Sequence, residues 1–476
     1  MLNVNAEIAK AVELLQTEVP KAALTPDAQK NWNLATGLQM YNLYPAALTI
    51  LPVLTPLRNA IARGHGKGKQ AEFKAITNVN AGGASFIVSE GYSGPSTSVS
   101  VEDVIAVYRS MALATQITFE QEWAGRGFVN SKAEAVANLL RAFMLQEELG
   151  ILFAQNSNAA ANQQAPGAVG QLPAPTLTVS NTGGTIGNAS SATTVYVVVT
   201  PVTGMKFLNG SGEGIASSVG SATVASGTTT ASISVQPPVL INQPVLSFNV
   251  YVGSAAAGPF YYAGSTNGAA ITVTAIPTSG AQPPTTDNTA SANAFNGYLA
   301  QVAGGAGSTV QRINSTLSLS ALDSFLKVMW DNSKADPDAL YVNSAESLKI
   351  TNLTIGGGTP YFVTVDNQNG ATANFRVARF TNPVTGTELP VRVHPNLPQG
   401  TLFAMSNRMP GWYVPSGISN VMEMDMVQDY TEIDYPPVYD PTNGNGDQWT
   451  VAVRSFGTFK LYMPLLQGLM MGITAG

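Results

Sequence analysis

Apolar residues recur at helical spacing in a few places only. Val4, Ile8, Val12 and Leu15 share one face over residues 3–17, opposed by Glu7, Lys10 and Glu13. That pattern predicts a short amphipathic helix, ended by Pro20 and Pro26. From Leu34 to Leu57 the chain is aromatic and aliphatic but broken by Pro45, Pro52 and Pro56. An extended arm is expected there, which must bury itself against its own domain or a neighbouring subunit. The strongest helical pattern begins at Ser131, where Glu134 makes a capping box, and Val136, Leu140, Phe143, Met144 and Ile151 follow toward Gln155. At 1.5 Å per residue this helix spans roughly 37 Å. Ser320 and Asp323 open a further helix that presents Leu322, Phe325, Leu326 and Met329 and ends near Asn332 to Lys334.

Strand patterns fill the remainder. Runs at Phe73 to Val79 and Ser85 to Ser89, followed by the turn-rich Gly91 to Pro95, predict a two-stranded excursion with no core of its own. Between Gln171 and Ala290 the only charges are Lys206, Glu213 and Asp287, in a background of Ser, Thr, Gly, Ala and Val. Thr194 to Thr200, Thr229 to Val235, Ser247 to Val252 and Ala270 to Ala275 are short strands between Gly or Pro turns, which points to a β-sandwich. Val250 to Val252 with Pro259 to Tyr262 resembles an immunoglobulin or fibronectin-III module. A mixed α/β pattern resumes on both sides, so this stretch is expected to be an insertion. Further strands are expected at Leu340 to Val342, Tyr361 to Val365, Val391 to Val393, Leu402 to Met405, Val421 to Met426 and Trp449 to Phe456.

Composition changes the picture in one respect. The 476 residues suffice for roughly three domains. Only 11% of them are charged, where about 25% is usual for soluble domains. A surface so poor in charge is expected to be covered by lipid or by copies of the same chain. No run of about 18 uninterrupted apolar residues exists, which disfavours lipid. Glu7, Lys10 and Glu13 stand where a signal peptide would need an apolar core, so secretion by that route is not expected. Net charge is −6, which argues against a nucleic-acid binder as a whole while leaving a local basic patch open.

The chemistry available is narrow. Cysteine is absent, which removes thiolate nucleophiles and Cys-ligated zinc, and the two histidines, His65 and His394, lie far apart. Both are expected at the surface or in turns. No HExxH, GxSxG or GxxxxGK[ST] pattern occurs. The run Gly64 to Lys69 looks like a phosphate cradle, but Gln70 stands where Ser or Thr would hold magnesium, so a flexible loop base is expected. Arg58, Arg63, Lys67, Lys69 and Lys74 form a basic run whose readings are a solvated loop, contact with an acidic surface of another copy, or contact with nucleic-acid phosphates. Glu423, Asp425, Asp429, Glu432, Asp434 and Asp440 crowd together without a Lys or Arg between them. They are read as a solvated or subunit-facing acidic edge, with calcium binding or acid–base work on a glycan as the alternatives. Trp32, Trp123, Trp330, Trp412 and Trp449 are read as core or interface anchors.

The order of these parts resembles the major capsid protein of tailed bacteriophages, with the Hong Kong phage-type fold. Ser85 to Gly91 looks like the descending strand of that family's E-loop. Ile105 to Glu122 resembles the stretch leading to its spine helix, and Ser131 to Gln155 the spine helix itself. Leu319 to Asn343 and Leu389 to Val414 are similar to axial-domain elements, and Gln448 to Pro464 to the strand that rejoins the peripheral sheet. The resemblance implies an α+β capsid fold carrying an all-β insertion. Its parts are an N-terminal arm (1–66), an E-loop hairpin (67–105), a peripheral domain (106–170) with the spine helix at 131–155, the immunoglobulin- or fibronectin-like sandwich (171–290), a return to the peripheral domain (291–315), an axial domain (316–420), and peripheral strands with the C-terminal segment (421–476). It further implies a non-enzymatic shell protein of the virion, assembled in the host cytoplasm as hexamers and pentamers around double-stranded DNA. No cofactor and no membrane are implied. A separate scaffolding protein and a portal are expected as partners, with decoration proteins optional. Arg58, Arg63, Lys67, Lys69 and Lys74 are then candidate intersubunit or DNA-facing groups, and Glu423, Asp425 and Asp429 a candidate intersubunit acidic strand. A nanocompartment shell of the same fold, or a glycan-acting enzyme with an accessory β-module using the 423–440 carboxylates, are the alternatives.

Overall fold

Leu139, Leu140, Phe143 and Met144 lie on one side of a helix at Ser131–Phe153 and pack with Tyr430, Val451 and Val453, joined at the margin by Met111, Leu113 and Val136. The expected long helix therefore exists, but its cap differs. Asn130, not Ser131, accepts from the backbone N–H of Ala133 through its side chain at 3.1 Å. A side-chain oxygen one residue earlier satisfies the orphan donor equally well, because Asn and Ser cap with similar strength.

The computed structural model describes residues 39–42, 54–79, 87, 89–91, 99–125, 130–158, 164, 166–356, 379–408, 420–435 and 448–474. The helix expected at 3–17, most of the expected arm, Trp32, Trp412, Asp440, the strand at 361–365 and most of the 85–89 run lie outside the described residues. The chain divides into two units. One comprises Met1–Ala71, Ala106–Ile151 and Glu423–Lys460, the other Glu72–Ile105, Leu152–Met422 and Leu461–Gly476. The architecture is α+β.

In the first unit the sheet runs in the order Gln39–Asn42, Met422–Tyr435, Gln448–Leu461, Arg109–Thr118, and Ala62–His65 also pairs with Met422–Tyr435. Arg109–Thr118 alternates half-buried and exposed positions along almost its whole length, which is how a strand covered on one face reads.

Among the described residues the second unit holds two four-stranded sheets, a six-stranded sheet and most of a two-stranded one. Two of four strands each lie within 176–273: Ile271–Val273, Thr228–Gln236 and Thr176–Ser180, with Ile186–Asn188 on Thr228–Gln236, and Tyr261–Thr266, Ser247–Gly253, Thr193–Val202 and Gly220–Val224. Val195, Val197 and Val199 meet Phe248, Val250 and Val252 from one sheet and Ala231, Ile233 and Val235 from the other in a single core. The alternation that predicted the strands is thus the alternation that fills the sandwich.

A mixed six-stranded sheet follows, in the order Thr309–Thr316, Gly468–Thr474, Thr401–Met405, Ala339–Val342, Glu388–Val393, Arg379–Thr381. Helix Leu319–Ser333 lies against it through Phe325 and Met329, so closely that a Cβ on Gly468 would meet both side chains at about 2.5–2.6 Å. Ser318, rather than Ser320 or Asp323, caps this helix by accepting from the Ala321 N–H. Two strands depart from expectation. Thr309–Thr316 begins within the expected return to the peripheral domain and Gly468–Thr474 within the expected peripheral C-terminal segment, yet both belong to this sheet. Gly468 to Ile473 is apolar and buried throughout, as a strand covered on both faces must be.

The two-stranded excursion is Gln70–Val79 paired with Val99–Val107. Its base lies against another segment of the same unit. Ala75, Ile76 and Val104 are buried, Phe73 meets the Tyr462 ring edge-on at 5.2 Å, and the Ile76 N–H donates to the Tyr462 carbonyl.

Candidate intersubunit surface

The basic run does not act as one patch. Proline at the first position of helix Pro56–Ala60 starts it without an unsatisfied N–H, and Glu148 caps it from the long helix, accepting from the Leu57 and Arg58 N–H groups at 3.0 and 2.8 Å. Arg58 Nε donates to Glu147 at 2.9 Å and to the Tyr430 hydroxyl at 2.8 Å. Arg63 donates to Glu147 at 2.6 Å and to Asp429 at 2.9 Å. Both guanidinium groups stand over the Tyr430 ring, 5.2 and 4.7 Å from its centroid. Burial raises the Asp429 carboxyl, and Arg63 and Arg58 oppose the rise.

This corrects the expectation that Arg58 and Arg63 face another copy or nucleic acid. Arg58 is 3% exposed, and both arginines are drawn inward by Glu147, which shares its helix with the core. One signal was present in the sequence. Leu140, Met144, Glu148 and Ile151 recur at spacings of 4, 4 and 3, which places a carboxylate on the apolar stripe and requires a buried partner.

The acidic strand is corrected in the same way. Met422–Tyr435 is flanked on both sides by other strands, so it is no edge. Asp425 is 4% exposed. Lys460 on the neighbouring strand reaches Asp425 at 2.9 Å and Glu423 at 3.5 Å, and the Tyr108 hydroxyl donates to Asp425 at 2.7 Å. Burial and that hydrogen bond push the Tyr108 hydroxyl up to about 12. Asp429 is committed to Arg63. Among the described residues no group of three or more His, Asp or Glu could hold a metal ion.

At the far end of this strand Lys132 bonds Asp434 at 2.5 Å and lies 4.9 Å from the Trp449 ring centroid. Burial pushes the neighbouring Glu432 carboxyl up to about 7, with Lys132 opposing and Asp434 adding to the rise. The folded chain then keeps a proton that the unfolded chain has already released, so stability falls as pH climbs from about 4.5 to about 7. Asp429 acts with the same sign. The loss through Glu432 amounts to about 3 kcal/mol at most. Urea unfolding at about pH 5 and about pH 8 measures it, and Glu432→Gln is expected to remove most of the difference. An unchanged difference in that variant would assign the slope to other groups.

His394 opens a turn, one of its two expected places, but it is not at the surface. It is fully buried beneath the turn that follows Glu388–Val393, its Nδ1 accepting from the Asn396 N–H at 3.2 Å and its ring edge-on to Tyr341. His65 is exposed, as expected.

What remains outward is smaller and better defined. The turn Gly66 to Lys69 presents Lys67 and Lys69 to solvent. It is held in place: a Cβ on Gly66 would lie 2.5 Å from the Tyr108 hydroxyl, and the Tyr108 N–H donates to the Lys69 carbonyl. Gly68 takes φ +81, a conformation that suits glycine. The glycines thus shape a fixed turn, not a flexible base. Lys74, also exposed, lies 3.7 Å from the exposed Asp103.

On the short helix Phe119–Gly125, Phe119 is 46% and Trp123 60% exposed, with ring centroids 5.4 Å apart. Sequence reasoning left Phe119 unmarked. Beside the short helix, a groove of about 530 Å³ runs between strand Arg109–Thr118 and the long helix, lined by Leu113, Thr115, Gln121, Ser131, Glu134 and Asn138. Glu120, Glu122 and Glu134 are exposed around it. An exposed aromatic pair with an acidic surround is suited to protein contact, since aromatic rings concentrate in contact centres.

Residues 273–414 match the family of the SU10 major capsid protein. The family expected from the sequence, phage major capsid protein, is the family matched. The matched stretch takes in five of the six strands of the mixed sheet, all but Gly468–Thr474, together with helix Leu319–Ser333. No curated protein matches the chain. Solved structures similar to it include a chain of Mycobacterium phage Bobi (9% identity, 98% of each chain covered, TM-score 0.36). Others are a chain of Microbacterium phage Oxtober96 (9% identity, 98% of each chain, TM-score 0.39) and a structure described as the capsid of a native GTA particle (7% identity, 95% of this chain and 100% of that one, TM-score 0.40). The capsid assignment rests on the family match.

Proposed function

We propose that the chain is the structural subunit of a tailed-phage head, assembling in many copies into an icosahedral shell around double-stranded DNA. The match of residues 273–414 to a major capsid protein carries this reading. The low charge content supports it, since a shell subunit needs less of a solvated coat. The proposed contacts are the Phe119–Trp123 pair with its acidic surround and, of opposite sign, the Lys67–Lys69 turn of another copy. Lys74 belongs to the same proposal. Hexamers and pentamers, a separate scaffold, a portal, optional decoration proteins, and assembly in the host cytoplasm are parts of the reading. So are the arm, hairpin, peripheral and axial divisions and an immunoglobulin-like character for the 171–290 sandwich.

The glycan-enzyme alternative is not favoured. Its carboxylates Glu423, Asp425 and Asp429 are engaged with Lys460, Tyr108 and Arg63. Expression with a scaffold partner, followed by size-exclusion chromatography and negative-stain microscopy, is expected to yield closed shells. A chain that stays monomeric under every condition would overturn the proposal.

A further inference from the structure

The sandwich enters and leaves the rest of its unit through two chain crossings. The neck where they meet is tightly bonded. Asp287 accepts from the Gly170 and Thr289 N–H groups, Thr289 accepts from the Val169 N–H, and Asn156 bonds Ala294 and Asn296. A neck alone would still let a module rock about its base. A second attachment lies elsewhere, and its centre is Arg312.

Arg312 sits on strand Thr309–Thr316 of the six-stranded sheet. Just after it the pairing with Gly468–Thr474 slips, and Asn314 adopts φ +47, a left-handed conformation at the irregularity. The guanidinium reaches into the sandwich. Nε donates to the Leu240 carbonyl at 3.1 Å, one terminal nitrogen to the Asn267 carbonyl at 3.1 Å, and the other to the Val245 carbonyl. These acceptors come from two different loops, one joining Thr228–Gln236 to Ser247–Gly253 and one joining Tyr261–Thr266 to Ile271–Val273. The cation also stands 5.5 Å from the Phe248 ring centroid, at the edge of the sandwich core. No carboxylate is among its hydrogen-bond partners. Burial accordingly lowers its pKa, to about 10. Asn267 answers in the opposite direction, its side-chain amide donating to the Ile473 carbonyl at 3.1 Å and the Gln399 carbonyl at 3.4 Å.

We infer that Arg312 and Asn267 form a latch that fixes the attitude of the sandwich on the six-stranded sheet, so that whatever the sandwich contacts is held rigidly to the subunit body. The chemistry is specific. A guanidinium carries donors in a planar fork and can serve three carbonyls at once, whereas an ammonium cannot span the same positions. A buried cation with three hydrogen bonds to carbonyls of two loops, and a longer one to the Met471 sulfur at 3.8 Å, ties those loops together and to its own strand. Its removal leaves three carbonyls to be satisfied by water, which must enter the junction.

Hydrogen–deuterium exchange on the full chain tests this without any need for shells, so its failure is separable from failure of the capsid reading. In Arg312→Met, amides in 239–246 and 266–270 are expected to exchange about tenfold faster or more, while those of Thr401–Met405 keep their protection. Arg312→Lys, which retains the charge, is expected to show the same loosening in weaker form. Asn267→Ala removes the second half of the latch without emptying a buried site, and covers the case in which Arg312→Met fails to fold. Unchanged exchange in these loops in Asn267→Ala and Arg312→Lys would overturn the inference, as would loosening spread evenly over the whole chain.

Discussion

Arg58→Met is expected to lower the stability of the chain by about 3–5 kcal/mol, because it takes from the buried Glu147 carboxylate one of its two cations. The side chains of Arg58 and Glu147 are 1% and 0% exposed, so neither has water to fall back on. Methionine fills much of the volume and keeps the apolar stem, which isolates the loss of charge from the loss of packing. Arg63 still reaches Glu147 at 2.6 Å, so part of the compensation survives and the expected cost stays within that range. Urea unfolding against the parent chain measures the difference. The exposed pair Lys327–Asp331 provides the control, where Lys327→Ala is expected to leave the midpoint unchanged. A loss in Arg58→Met no greater than in that control would mean that the buried Arg58–Glu147 pair contributes nothing to the fold.

Converting Phe119 and Trp123 together to serine is expected to have the opposite profile, with the fold intact and assembly lost. Both rings already face solvent, so the subunit forfeits little by losing them. Burying that much aromatic surface at a contact would contribute roughly 2–3 kcal/mol. Each contact would weaken by about 30- to 150-fold, and a closed shell repeats the contact in every copy. Melting temperature and size-exclusion profile, read on the same preparation, separate the two effects. Shells formed at the parent yield would remove this face from the proposed contacts. Reversing Lys67 and Lys69 to glutamate addresses the other half of the proposal by the same assay.

The contrast between these experiments follows from what could be read in the chain. Helix Ser131–Phe153 was legible because Leu140, Phe143 and Met144 repeat at its own period, and its apolar face had nowhere to go but inward. The sandwich strands were legible for the same reason at period two, as the buried Val195, Val197 and Val199 illustrate. The cap at Asn130 was misread by one residue, since Ser131 with Glu134 satisfies the same local rule. Arg58 was misread more deeply. Its partners Glu147 and Tyr430 stand 89 and 372 positions away, and the nearest charges in the sequence, Arg63 and Lys67, are like-signed. Adjacency in the chain suggested a patch that space does not contain.

Periodic burial is written in consecutive residues, so the amino-acid order alone settled the long helix, the alternating strands of the sandwich and the scarcity of charge. Which cation meets which anion depends on how distant segments come together. Tertiary structure alone therefore decided that Arg58, Arg63 and the 423–429 carboxylates turn inward, that Lys67, Lys69, Phe119 and Trp123 stay outside, and that Arg312 reaches across to another sheet. The reason is dielectric: a buried charge must find its counterpart or its dipoles wherever the fold brings them, and sequence distance places no limit on that search.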